Sequence, residues 1–217
     1  MFVKICGITN EDDALLAVAL GADAVGFIFA PSVRQIAAQK VYDITRRLPP
    51  DVLTVAVFRD EHPKRVIELV HNSGVKAAQL HGHERPEDVA AVAQHVRTVI
   101  KGVSAGGVDA ANALQFRTPY VLVDAPAPGS GKVFDWHLAA EVPEGVNLIL
   151  AGGLTPENVA AGIKQVNPWG VDVSSGVESA PGKKDPLLLK RFIQAAREAE
   201  PPKFDGGTNA PYDWMDE

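Results

Sequence analysis

One cysteine, Cys6, is the entire thiol content of this 217-residue chain, so no internal disulfide can form and a zinc cage of several cysteines is ruled out. Positive charge is also scarce: 21 Lys and Arg against 27 Asp and Glu leave a net charge of -6. That balance provides no broad basic surface, so neither nucleic acid nor an anionic membrane is expected as a partner, although an anion can still be held locally. No apolar run approaches the length of a membrane span, and Met1–Cys6 lacks a charged leader ahead of a long hydrophobic stretch. A cytoplasmic location is the expectation. What remains is 46% hydrophobic and 22% charged, the balance of an ordinary globular chain long enough to bury a full core.

Short β-branched runs alternate with longer helical patterns along most of the chain. The predicted strands are Val3–Ile8, Ala24–Phe29, Leu53–Phe58, Ala77–His81, Thr98–Val103, Tyr120–Asp124, Asn147–Ala151 and Gly170–Ser174, each as apolar as a strand covered on both faces should be. Helical segments are predicted at Asn10–Leu20, Gln39–Leu48, Pro63–Ser73, Pro86–His95, Pro156–Gln165 and Asp185–Ala199, with Asn10, Thr155 and Asp185 as starters. The connections around Asp109–Gln115 and Asp135–Ala140 are shorter. Eight strand-then-helix units in about 200 residues point to a closed (β/α)8 barrel over residues 1–199. An open doubly wound sheet is the competitor, but Cys6-Gly7-Ile8-Thr9-Asn10 lacks the glycine-rich nucleotide turn such a fold carries after its first strand. Residues 200–217, with prolines at 201, 202 and 211 and no helical period, read as an irregular C-terminal tail.

In such a barrel the chemistry belongs at the carboxyl ends of the strands, and polar residues collect there. Cys6 closes strand one, Gln79 and His81 strand four, Asp124 strand six, and Ser174 and Ser175 strand eight. Because strand side chains alternate, Lys4 shares a face with Cys6, Gln79 with His81, and Asp172 with Ser174. Each residue also has a plain reading: Cys6 as a small buried hydrophobe, Asp124 as a turn residue ahead of Ala125-Pro126, His81 as a strand end. Their coincidence at one mouth favours a site. The turns Ala151-Gly152-Gly153-Leu154 and Ser174-Ser175-Gly176 follow strands seven and eight, where many barrels hold a phosphate on backbone N–H groups.

Several of these stretches carry a resemblance: Lys4-Ile5-Cys6-Gly7-Ile8-Thr9, Gly21–Phe27, Gln79-Leu80-His81-Gly82, Ser130–Trp136, Ala151–Leu154 and Asp172–Glu178. The chain resembles the phosphoribosylanthranilate isomerase family from residue 3 to about residue 199. The resemblance implies a cofactor-free, metal-free TIM barrel of tryptophan biosynthesis that converts N-(5-phosphoribosyl)anthranilate to 1-(2-carboxyphenylamino)-1-deoxyribulose 5-phosphate. It further implies that Cys6 is the general base and Asp124 the general acid of this Amadori rearrangement. Arg34 would meet the anthranilate carboxylate, Gly152, Gly153, Ser174, Ser175 and Gly176 would hold the phosphate, and Gln79, His81 and Asp172 would contact substrate.

That chemistry needs an acid still protonated in the loaded site, so Asp124 is expected to have a raised pKa there. It also needs a thiol that can lose its proton, and Lys4, about 6–7 Å along the same strand face, is a candidate to lower the Cys6 pKa. Lys4 could instead pair with Asp172. The loop Ala125–Gly131 is a candidate lid. Two other functions fit the pattern less well. The related histidine-pathway isomerase ends strand one with aspartate, and a non-catalytic phosphoribosyl-binding barrel would have no need of both Cys6 and Asp124. The sequence leaves the oligomeric state open.

Overall fold

The computed structural model describes residues 1–125 and 135–200. Eight parallel strands close into one barrel in chain order: β1 (Phe2–Ile5), β2 (Ala24–Ile28), β3 (Leu53–Phe58), β4 (Ala77–Leu80), β5 (Thr98–Ser104), β6 (Tyr120–Asp124), β7 (Asn147–Leu150) and β8 (Gly170–Val173). Outside them run α1 (Glu11–Ala19), α2 (Ala38–Thr45), α3 (Pro63–Ser73), α4 (Pro86–Ala93), α5 (Val108–Ala111), α6 (Val159–Val166) and α7 (Pro186–Glu198). The expected barrel is therefore present. Residues 201–217 of the expected tail, and residues 126–131 of the expected lid, lie outside the described residues.

Local chemistry sets the element boundaries. Asn10 begins α1 by accepting the Asp13 N–H, and Asp185 begins α7 by accepting those of Leu187 and Leu188. Proline at the first position of α3 sets its opening turn, and Gly74, in the left-handed region at φ 66°, ends it. Strand β1 is shorter than predicted, because Gly7 turns the chain at φ 75° and Ile8 N–H reaches across to the Gly26 carbonyl. Cys6 still donates its N–H to the Val173 carbonyl, so it stands at the rim and not in the ladder. After β5 the chain makes only the four-residue α5 and a 3-10 turn over Ala113–Phe116, and a 3-10 turn over Trp136–Glu141 stands ahead of β7.

Two apolar layers result. One lies between strands and helices and includes Val3, Phe27, Val66, Val121 and Phe192. The other fills the lumen with Ala24, Val55, Ala77, Ile100, Leu122 and Ile149, each fully or almost fully buried. A fully buried aliphatic side chain of this kind contributes about 1.5–3 kcal/mol. At the amino-terminal end, Trp169 stacks on Phe2 at 4.6 Å between centroids and leans on Tyr120 at 5.2 Å, which plugs the floor. With floor and middle apolar, the polar inward positions are left for the opposite end. Strand register sets Lys4 beside Asp172, Leu80 beside Lys101, and Ser104 beside Asp124.

Candidate active site

A cavity of about 700 Å³ opens at the carboxyl ends of the strands. Cys6, Arg34, Gln79, His81, Asp124, Asp172, Ser174 and Ser175 all line it. A smaller recess of about 80 Å³ adjoins it, lined by Gly152, Gly153 and Gly176 together with Asp124, Asp172, Ser174 and Ser175. The structure thus brings every sequence-predicted site residue to one end of the barrel. Asp124, Asp172 and the two serines border both spaces.

Asp124 is held from two sides. Its Oδ1 accepts the Ala125 N–H at 2.8 Å, and its Oδ2 lies 3.2 Å from Nε2 of His81. Gln79 Nε2 lies 2.7 Å from His81 Nδ1; with the amide donating there, Nδ1 accepts and Nε2 is the ring nitrogen that faces Asp124. The three residues form a chain that ends on the carboxylate. Strand β5 runs between its two ends, and the approach is possible because β5 carries Gly102 there: a Cβ on Gly102 would lie 2.8 Å from His81 Cγ. The family resemblance implies substrate contacts for Gln79 and His81; their hydrogen bonds in the structure make them supports of Asp124.

Cys6 sits in a comparable gap. Strand β2 presents Gly26 opposite it, where a Cβ would lie 2.9 Å from Sγ and 3.2 Å from Lys4 Nζ. Lys4, fully buried, bonds Asp172 Oδ1 at 2.8 Å and also interacts with Cys6, so both anticipated contacts of Lys4 are present. Burial pulls the Lys4 pKa down, but the Asp172 carboxylate and Cys6 outweigh it and hold Lys4 above the ordinary lysine value. Burial pushes the Cys6 thiol up; Lys4 opposes this, Asp172 adds to it, Lys184 opposes it, and the net direction is up. Lys4 acts in the anticipated direction and is outweighed by desolvation.

The turns beside the recess have backbone shapes that suit an anion. Gly152 and Gly153 adopt φ 84° and 67°, a region costly for other residues, and a Cβ on Gly176 would collide with the Leu154 carbonyl. Ser175–Val177 forms a single 3-10 turn whose amino end borders the recess. Ser174 Oγ is buried there with no hydrogen-bond partner among the described residues, a donor open to an incoming oxygen.

Arg34 reaches the mouth from the loop after β2, its side chain only 17% exposed, so it is no solvated loop charge. Its Nε and Nη2 grip the two oxygens of Glu178 at 2.8 and 2.7 Å. The stem crosses above Gly7, where a Cβ would lie 2.6 Å from Arg34 Cδ. The bond from Glu178 comes first among the causes that raise the arginine pKa. Sequence reasoning gave Glu178 and Lys184 no role, and missed the space left by Gly26 and Gly102. A lysine in Lys183-Lys184-Asp185 carries no sequence signal that it is buried; the glycines become informative only once strand parity is fixed.

Fold and site together define a (β/α)8 barrel whose carboxyl-end cavity gathers a thiol, a carboxylate and a glycine-lined recess. The family model for N-(5'phosphoribosyl)anthranilate (PRA) isomerase matches residues 3–195, and the chain belongs to that family. The N-(5'-phosphoribosyl)anthranilate isomerase of Desulforudis audaxviator is 45% identical over 201 residues, covering 91% of this chain and 98% of the relative. The crystal structure of phosphoribosyl anthranilate isomerase from Thermus thermophilus superimposes with a TM-score of 0.86 at 40% identity, covering 91% of this chain and 99% of that one. A further solved isomerase, in complex with reduced 1-(o-carboxyphenylamino)-1-deoxyribulose 5-phosphate, gives a TM-score of 0.81 at 41% identity, with 91% and 99% coverage.

Proposed function

We propose that Cys6 and Asp124 divide the isomerisation of N-(5'-phosphoribosyl)anthranilate between them as base and acid. The reaction is the Amadori rearrangement of tryptophan biosynthesis, and its product is 1-(2-carboxyphenylamino)-1-deoxyribulose 5-phosphate. The observation that carries the assignment is the convergence of both groups on one cavity that continues into the glycine-lined recess.

In this scheme Asp124 gives its proton to the ribose ring oxygen as the C1–O bond breaks, and the anilino nitrogen supplies the electron pair that forms the Schiff base. The carboxylate left behind accepts from His81 Nε2–H, which lowers the cost of its new charge. The Cys6 thiolate then takes the proton from C2, the electrons move toward the iminium nitrogen, and the resulting enolamine tautomerises to the ketone. Lys4 beside Sγ favours the thiolate when it forms. The turns at Gly152-Gly153 and Ser174-Ser175-Gly176 hold the phosphate, and Arg34 offers its remaining donors to the aromatic carboxylate. Gln79 acts through His81, and Asp172 through Lys4. No cofactor enters the scheme.

The substrate is a small phosphoribosyl molecule, and we assign the enzyme to the cytoplasm. Among the described residues no helix is long and apolar enough to cross a membrane. Following the decay of substrate fluorescence after addition of purified enzyme tests the reading. Saturable decay supports it, and a rate equal to the enzyme-free control overturns it.

A further inference from the structure

Among the described residues three lysine side chains are fully or almost fully buried: Lys4, Lys101 and Lys184. Lys4 pairs with Asp172, and Lys101 pairs with Glu84 at 2.8 Å behind the loop that bears His81. Lys101 also holds the Leu80 and Gly82 carbonyls on either side of His81, whereas Lys184 holds the carbonyls of two residues placed in the site itself, Cys6 and Ser174. Lys184 lies on the second strand of a small antiparallel hairpin, Glu178–Ala180 with Lys183–Lys184, that follows β8.

Its ammonium has three protons and three acceptors: the Cys6 carbonyl at 2.6 Å, the Ser174 carbonyl at 3.0 Å and Glu178 Oε1 at 3.0 Å. Its backbone N–H is fixed in turn by Asp13 Oδ2 at 2.9 Å, from α1. Glu178 receives Lys184 on one oxygen and Arg34 on both, with its side chain 4% exposed. Burial works against the Glu178 charge, but the bonds from Arg34 and Lys184 outweigh it, and its carboxyl stands below the usual range. A buried ammonium is costly, and a packed apolar residue in its place would avoid that cost while leaving two carbonyls unsatisfied. The cluster therefore joins three parts of the mouth that follow different strands: the proposed base after β1, the proposed anion turn after β8 and the arginine after β2.

We infer that Lys184 is a positioning residue for the isomerisation: its ammonium holds the backbones of Cys6 and Ser174 in one frame and, through Glu178, fixes the direction of Arg34. The inference rests on the roles proposed above for those three residues. It makes one buried charge responsible for the spacing between the base, the phosphate end and the carboxylate end of a single substrate. A misplacement of about 1 Å in such a frame is enough to cost on the order of 10²-fold in rate.

The charged groups around the thiol are Lys4, Asp172, Lys184 and Arg34, so removing one of them has a readout that needs no turnover. The pH dependence of Cys6 alkylation by iodoacetamide is followed in wild type, Lys184→Met, Lys184→Arg and Glu178→Gln, alongside kcat and KM. Lys184→Met is expected to move the alkylation midpoint upward, because it removes a charge that favours the thiolate, and Lys184→Arg to restore it. Glu178→Gln is expected to raise KM about tenfold with a smaller effect on kcat, the scale set by removing one charged group that orients the substrate's carboxylate partner. A folded Lys184→Met with the wild-type alkylation midpoint overturns the inference. If Lys184→Met does not fold, Glu178→Gln decides, and an unchanged KM overturns it. Because alkylation is measured without substrate, an inactive wild type would count against the functional reading alone.

Discussion

His81 Nε2 lies 3.2 Å from Asp124 Oδ2, although β4 and β6, which these residues follow and end, are separated by β5. The pair can meet across the intervening strand only because Gly102 has no side chain to obstruct the imidazole. In the proposed scheme this gives Asp124 a donor for the charge it would acquire on protonating the sugar ring.

Gly102→Ala tests that dependence. The added methyl is expected to displace the ring and to lower kcat by about 10- to 100-fold, the scale of a disturbed acid–base pair. The barrel should persist, as measured by circular dichroism, because the atoms nearest to the carbon that the change adds belong to His81, which follows β4, and not to a residue within a strand. A wild-type kcat would mean that His81 gives Asp124 no kinetic help.

The pH profile should report the thiol. Cys6 is held above its ordinary value, first by burial, and a base works only after losing its proton. The active fraction is therefore small at neutral pH and grows as pH rises toward and past about 8.5. The logarithm of kcat/KM is expected to climb over that range, with the limb absent in Cys6→Ser. Lys4→Met should move the limb further up, since it removes a charge that opposes the shift. That variant should also be less stable by about 3–5 kcal/mol in urea unfolding, because Asp172 is left buried and unpaired.

Gly152→Ala joins two effects. Its methyl would have to occupy a left-handed backbone and would lie 2.5 Å from Ala125 N and 3.0 Å from Asp124 Oδ1. Steady-state kinetics are expected to show a higher KM from the disturbed phosphate turn and a lower kcat from the disturbed acid.

Trp169→Ala separates the floor from the mouth. Trp169 stacks on Phe2 and remains 40% exposed, so the destabilisation should fall below the 3–5 kcal/mol typical of a fully buried tryptophan, at about 2 kcal/mol. For a chain of this size that is a fall in Tm of about 4–8 °C. The value of kcat should be unchanged.

The barrel was legible in the sequence because strand and helix periods differ and eight of the former occur in order; the strand bounds erred mainly at Ile8, where Gly7 breaks the ladder early. Cys6, Asp124 and the glycine turns were legible because position on a barrel strand already implies the mouth. The direction of the Cys6 shift was not legible. It depends on how completely the thiol is enclosed, and a lysine two residues away is visible in sequence where desolvation is not. The Arg34–Glu178–Lys184 cluster was hidden for another reason: it joins residues 34, 178 and 184 through a hairpin that no local pattern announces.

The most direct test is single-turnover conversion of N-(5'-phosphoribosyl)anthranilate by wild type, Cys6→Ser and Asp124→Asn, each first shown to bind a reduced product analogue. The account predicts analogue binding in all three, with rates in both variants lower by about 10²–10⁴-fold, the range for removal of a general base or acid. A variant that binds the analogue and still turns over at the wild-type rate would contradict it.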